Sequence, residues 1–310
     1  LSFKTIGLVE IGTNSVKFLI SYLDDSGKIV HLVDKNDVTK IGQGIESQGL
    51  LDPTGMERTL SSIEGFIDES VDLEVGSIKV VGTMALRKAS NSEFFSRSLM
   101  ERTGLSLQVL SGETEARYSL RAVRETVPDG CSGWLFDAGG GSTEFSCFSG
   151  KDMESPFSLN VGALTLSDRF FPDDMVDSRS LEMAMEWVAS ELKKGGVEAR
   201  GQGGRLIGTG GNLVSMASVF LGGAPIPSGS SFTIPLNEIE RQVALFAKTK
   251  VDDRSSIPGV PAARARIILG GACIALSIAR LTCSLDLEVS TYGLRHGLMK
   301  EMLSSEGNFV

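Results

Sequence analysis

The sequence predicts an α/β chain built from two ribonuclease-H-like halves, and two observations predict it. The first is a repeated turn. Glu10-Ile-Gly-Thr-Asn-Ser15 runs into Val16-Lys17-Phe18, and Asp137-Ala-Gly-Gly-Gly-Ser142 runs into Thr143-Glu144-Phe145. Each copy sets an acid at the end of an apolar run, turns through glycine and a hydroxyl residue, and re-enters a β-prone run. The two acids stand 127 residues apart. The second observation is element order: both halves open with three strands before any helix.

In the first half, strands are expected at 5–10, 16–22 and 28–34. A helix follows Pro53, because Met56, Leu60, Ile63 and Ile67 recur at helical spacing. A short buried strand at 78–81, a helix at 92–102, a strand at 105–110 and a helix from Glu113 to about Arg124 complete it. The pattern restarts at Trp134 with strand, glycine turn, strand and a third run through 153–159. Helices are expected at 180–194, 211–221, 236–247 and 262–281, and strands at 205–207 and 287–289. These assignments divide the chain into a first domain over 1–126 and a second over 127–293, with Pro128-Asp-Gly130 as the natural break. The last helix, at 294–303, is expected to return to the first domain.

The bulk numbers agree. At 310 residues the chain is large for one core, and 41% hydrophobic with 22% charged residues is ordinary globular composition. A formal net charge of −9 argues against a general nucleic-acid or anionic-membrane binder. It also means that a phosphate-rich substrate has to be drawn in by a local basic site. Cys131, Cys147, Cys273 and Cys283 show no CxxC spacing and have only His31 and His296 beside them, so free thiols are expected rather than a zinc site. No signal peptide is visible at Leu1-Ser-Phe-Lys, and the apolar stretch over 267–279 is too short to span a bilayer. A cytoplasmic protein is expected.

The two turns carry the chemistry. Small residues and backbone N–H groups at a hairpin tip let an anion approach closely. Each tip also carries a carboxylate suited to a hard metal ion. Two such tips suggest a phosphate gripped from both sides with Mg²⁺ between, and hence phosphoryl transfer. Three further segments join them. Gly82-Thr83-Met-Ala-Leu-Arg87 follows a strand; Thr83 could cap a helix and Arg87 clamp a phosphate, or Arg87 could be a surface arginine. Ser111-Gly-Glu-Thr-Glu115-Ala-Arg117 opens a helix, and its acids suit either the helix dipole or a general base. Ile207-Gly-Thr-Gly210-Gly211-Asn212 either cradles a phosphate or permits close helix packing. Arg117, Arg121 and Arg124 share one helical face, as a basic track or a solvated one.

In this order, EIGTNSVKF, GTMALRKASN, LSGETEAR, FDAGGGSTEF, IGTGGN and YGLRHGLM resemble the exopolyphosphatase / guanosine pentaphosphate phosphohydrolase family, over residues 5–303. The resemblance implies the acetate-kinase/Hsp70/actin-like fold, an actin-like duplication with substrate and Mg²⁺ in an interdomain cleft. It implies Glu115 as catalytic base, and Asp137 and Glu144 as carboxylates that hold Mg²⁺ and order the attacking water. Gly139, Gly140, Gly141 and Ser142 match the phosphate-binding turn, Thr13, Asn14 and Ser15 the opposing one, and Arg87 the arginine that grips the terminal phosphate. Lys17, Thr83, Gly210, Gly211 and Asn212 are further substrate-binding candidates. Glu10 stands where the family usually has aspartate, and is a metal candidate on that basis. Thr114 replaces the first acid of the family's acid pair, and His296 a glutamate. Burial or a neighbouring carboxylate is expected to raise the pKa of Glu115. The implied activity is Mg²⁺-dependent release of orthophosphate from the end of inorganic polyphosphate. The alternatives are a pppGpp 5′-phosphohydrolase, a non-catalytic alarmone or nucleotide sensor, and an ATP-dependent kinase of the same fold. A homodimer is a further expectation, because its groove would lengthen the track for a polyanion.

Overall fold

The computed structural model describes residues 4–124, 127, 129–150, 152–197 and 204–306. Two compact units divide it: one comprises the chain up to Glu115 together with the part from Arg295 on, the other Ala116–Leu294. The division falls at Glu115 rather than at 126, because most of the helix begun at Gly112 packs with the second unit. Pro128, part of the break read from sequence, lies outside the described residues.

The first unit holds β1 (Ile6–Ile11), β2 (Val16–Leu23), β3 (Ile29–Asp37), α1 (Ile45–Gln48), α2 (Pro53–Asp72), β4 (Ser77–Gly82), α3 (Met84–Lys88), α4 (Ser92–Thr103) and β5 (Leu107–Val109). Its sheet runs β3-β2-β1-β4-β5, with β1–β2 and β2–β3 antiparallel and β4 and β5 parallel to β1. Asp52 caps α2 through its carboxylate on the Gly55 N–H at 2.6 Å, and Pro53 opens the helix where no N–H is needed. The helix then buries Leu60, Ile63 and Phe66 on the sheet, with Phe66 stacked on Phe18 at 4.6 Å.

In the second unit come α5 (Gly112–Val123, shared at its start with the first unit), β6 (Ser132–Ala138), β7 (Thr143–Ser149), β8 (Asp152–Leu159), α6 (Ala163–Phe170), α7 (Ser178–Lys194), β9 (Arg205–Thr209), α8 (Gly211–Phe220), β10 (Ser231–Pro235), α9 (Leu236–Lys248), α10 (Ile268–Leu281) and β11 (Asp286–Ser290). Its sheet runs β10-β11-β9-β6-β7-β8, the same order as the first with one antiparallel strand added at the far edge. The three-strand opening is therefore present twice, as the ribonuclease-H-like reading requires. Short α6 and edge strand β10 were not foreseen. The apolar run expected to be a helix from 262 starts only at Ile268, after a 3₁₀ turn, and is buried from Ile268 to Ala279. Trp134, Phe136, Phe145 and Phe157 pack with α10 in this unit's own core. Among the described residues no helix is long and apolar enough to cross a membrane.

From Arg295 on, α11 (Leu294–Glu306) groups with the first unit. Arg295 holds Asp34 Oδ1 of β3 at 3.0 and 2.8 Å, His296 Nε2 lies 3.3 Å from Asp34 Oδ2, and the His296 ring meets His31 edge-on at 5.5 Å. Burial pushes His296 down to about 4, against the pull of Asp34. Its ring thus stays neutral in the folded chain over a range where the unfolded chain, at about 6.5, takes up a proton. Stability is present in full above pH 6.5 and falls as pH drops from there towards 4, by on the order of 3 kcal/mol for such a separation. Urea denaturation between pH 7 and pH 4 should show this loss, and His296→Gln should flatten it. An unchanged pH slope in the variant would refute the assignment.

Candidate active site

Each sheet ends in the same hairpin. Gly12 N–H donates to Ser15 O at 2.9 Å in the first unit, and Gly139 N–H to Ser142 O at 2.9 Å in the second. The acid that opens each turn faces, across the antiparallel pair, the residue seven positions on: Glu10 faces Lys17, and Asp137 faces Glu144. Directly opposed residues project to one face of the sheet. The duplication therefore places an acid–lysine pair in one unit and an acid–acid pair in the other.

In the first unit Lys17 Nζ donates to Glu10 Oε1 at 2.5 Å. Burial raises the Glu10 carboxyl, yet Lys17 and Arg295 outweigh it and hold the group below its ordinary value. Glu10 is thus engaged as the counter-charge of Lys17 through Oε1, while its Oε2 has no hydrogen-bond partner. Thr13, Asn14 and Ser15 are buried, and their turn is fastened by Gly42 N–H to Thr13 O and Lys40 N–H to Asn14 O, both 2.9 Å. The Asn14 Nδ2 donor has no partner, which suits an anion acceptor.

Thr83 directs its hydroxyl to Ile11 O at 3.2 Å, tying the start of α3 to the end of β1. One turn later Arg87 Nη1 donates to Leu110 O at 2.6 Å and to Glu115 Oε1 at 2.5 Å. The structure thereby brings together two residues that the sequence named separately. Glu115 is 4% exposed on the first turn of α5, where Ser111 Oγ accepts the Thr114 N–H at 3.2 Å. Its hydrogen-bond neighbour at Oε1 is the Arg87 guanidinium.

In the second unit a single register row crosses four strands: Ser158 on β8, Glu144 on β7, Asp137 on β6 and Thr209 on β9. Ser142 Oγ and Ser158 Oγ both donate to Glu144 Oε1, at 2.7 and 2.8 Å, and Ser119 Oγ of α5 donates to Asp137 Oδ2 at 2.7 Å. The Ser142 hydroxyl, expected on the substrate, is directed at Glu144. Thr209 Oγ1, fully buried, has no partner. The first N–H groups of α6 donate to the glycine turn, Ala163 to Gly139 O at 3.0 Å and Leu164 to Gly140 O at 2.7 Å. This fastening is so close that a Cβ on Gly162 would lie 2.3 Å from the Gly141 carbonyl carbon.

Gly210 has φ +117°, and a Cβ there would fall 2.5 Å from Ala138 O. Close strand–helix approach therefore requires this glycine. Gly211 lies under the Arg264 guanidinium, which sequence reading passed over; a Cβ would meet Arg264 Nη2 at 1.9 Å. Asn212 is buried against Gly271 of α10, and its Oδ1 has no hydrogen-bond partner. At about 100° per residue, Arg117, Arg121 and Arg124 point away from the face of α5 that carries Glu115 and Ser119. The basic track is thus no part of that face.

Asp137 and Glu144 fit a hard divalent cation. Two carboxylates directly opposite in an antiparallel pair repel each other, and each has one oxygen oriented by hydroxyl donors. Among the described residues no cluster of three or more His, Cys, Asp or Glu side chains is placed to hold a metal. These two acids would have to be completed by oxygens of another kind.

Exopolyphosphatase 1 of Mycobacterium tuberculosis is 28% identical over 313 residues, covering 98% of this chain and 89% of the relative. The Mycobacterium leprae protein of the same name is 26% identical, covering 98% and 91%. A solved Ppx/GppA family member from Aquifex aeolicus superposes with a TM-score of 0.79 at 25% identity, over 98% of this chain and 99% of that one. An exopolyphosphatase structure from Cytophaga hutchinsonii shares the fold at TM-score 0.88 and 23% identity, over 97% and 98%. The Ppx/GppA phosphatase family model matches residues 21–306. The chain belongs to the Ppx/GppA phosphatase family and is a phosphoanhydride hydrolase.

Proposed function

We propose that the chain removes the terminal phosphate of inorganic polyphosphate in an Mg²⁺-dependent hydrolysis. The observation that carries this reading is the opposed pair Asp137 and Glu144, each oriented by serine hydroxyls, in a chain whose curated relatives are named exopolyphosphatases. Asp137 and Glu144 would hold the metal, which when bound supplies positive charge to the oxygens of the group being transferred. Glu115 takes the proton of the attacking water. Arg87 keeps Glu115 oriented through Nη1 and has Nε and Nη2 for phosphate oxygens. Lys17, held by Glu10, and the Asn14 amide supply donors for further phosphate oxygens, and the glycine turn from Gly139 to Ser142 does so through its backbone.

The test is phosphate release with Mg²⁺ from long-chain polyphosphate and from pppGpp, which present the same terminal phosphoanhydride. Release from polyphosphate is the expected result. Release from pppGpp alone would replace the substrate, and silence on both with ligand binding retained would favour a sensor.

A further inference from the structure

We propose that Ser119 is a positioning residue for the carboxylate of Asp137, fixing which oxygen of that acid faces the metal. The inference rests on the metal reading of Asp137 and Glu144 given above. Ser119 occupies the apolar side of α5, 1% exposed, next to buried Leu120 and one turn before Val123. A hydroxyl at such a position costs stability unless it is bonded. Buried helical hydroxyls usually satisfy themselves on the carbonyl of their own preceding turn. In this chain Thr59, Ser70, Ser167, Ser215 and Thr282 do so, each on the residue four positions back. Ser119 instead reaches out of its helix to Asp137 Oδ2 at 2.7 Å. Among the described residues it is the only side-chain donor to Asp137; Glu144 too accepts from hydroxyls, those of Ser142 and Ser158.

The consequence is an oriented carboxylate. A donor on Oδ2 stops the group from rotating and leaves Oδ1 as the acceptor for a metal. Groups that orient metal ligands in this way usually change metal affinity by about ten- to a hundredfold when removed. Ser119 also stands one turn after Glu115 on the same helix, so α5 both begins with the base and is tied to the metal acid.

The experiment titrates Mn²⁺ as the probe, following free Mn²⁺ by electron paramagnetic resonance, with the full chain and with Ser119→Ala, Ser119→Thr and Asp137→Asn. Ser119→Ala is expected to weaken Mn²⁺ binding about tenfold. Ser119→Thr, which keeps the hydroxyl, should stay within about twofold, and Asp137→Asn should lose most binding. Thermal melting of Ser119→Ala without metal is followed in parallel, because the lost hydrogen bond to Asp137 and the better helix propensity of alanine act on stability in opposite directions. Mn²⁺ affinity unchanged in Ser119→Ala but lost in Asp137→Asn would overturn the Ser119 role and leave the metal reading standing. Affinity unchanged in both would remove the metal reading and the role of Ser119 with it. Lower melting with unchanged affinity would make Ser119 a packing residue and also overturn the proposal.

Discussion

Glu115→Gln is expected to lower the rate constant for phosphate release by about 10²–10⁴-fold while leaving the fold intact. Glutamine has the shape of glutamate and can still accept the Arg87 hydrogen bond, but it cannot take a proton from water. Glu115 is held from three directions: by its place on the first turn of a helix capped by Ser111, by burial to 4% exposure, and by Arg87 Nη1 at 2.5 Å. Each of these restricts where its carboxylate can lie, which a positioned base needs. Arg87 is 32% exposed, so water can replace the lost charge partner and the cost in stability should stay below about 1 kcal/mol. Steady-state kinetics on polyphosphate together with thermal melting decide the matter. A rate within twofold of the unaltered chain would move the base elsewhere.

Asp137→Asn should show a second large effect, with a signature that separates chemistry from folding. Loss of one of two metal-holding charges should lower Mg²⁺-dependent turnover about 10²–10³-fold. The same change relieves the repulsion between Asp137 and Glu144, which face each other across β6 and β7. Without metal the variant should therefore be more stable, by about 0.2–1 kcal/mol. Mg²⁺ is expected to raise the melting temperature of the unaltered chain and to leave that of the variant unchanged. Glu144→Gln should behave alike, but it leaves Ser142 and Ser158 donating to an amide oxygen, so its gain in stability should be smaller. A variant both less stable and still activated by Mg²⁺ would refute the assignment.

Much of this was legible in the sequence because it is local. The 127-residue offset foretold that Gly12–Ser15 and Gly139–Ser142 close the same turn, and both close at 2.9 Å. The facing of Glu10 by Lys17 follows from a short hairpin, since seven residues and a tight turn leave little freedom of register. The partners of those groups were not legible. Ser119 finds Asp137 only once α5 has packed on the sheet, and Arg87 finds Glu115 across 28 residues. His296 meets Asp34 across 262 residues. The close approach of Asn212 to Gly271 on a distant helix was no more legible than these. β10 escaped notice because a five-residue edge strand with only one fully buried residue has no strong apolar pattern.

Two open sheets leave four unpaired margins, each a template on which another chain could build. Every one of them is blunted, and each differently. β5 is three residues long, too short to nucleate a ladder. Along its outer half β3 carries Asp34, Lys35 and Asp37, with Lys35 held at 2.6 Å to Glu69. β8 has Pro156 where its pairing with β7 slips between Phe145 and Cys147, so the strand loses an amide donor at an irregularity. β10 is five residues long and ends in Pro235. Duplicating a half-open domain doubled the hazard of fibre-like stacking, and the chain answers it margin by margin. The strands that carry Glu10, Lys17, Asp137 and Glu144 lie inside these margins, paired on both sides within their own sheets.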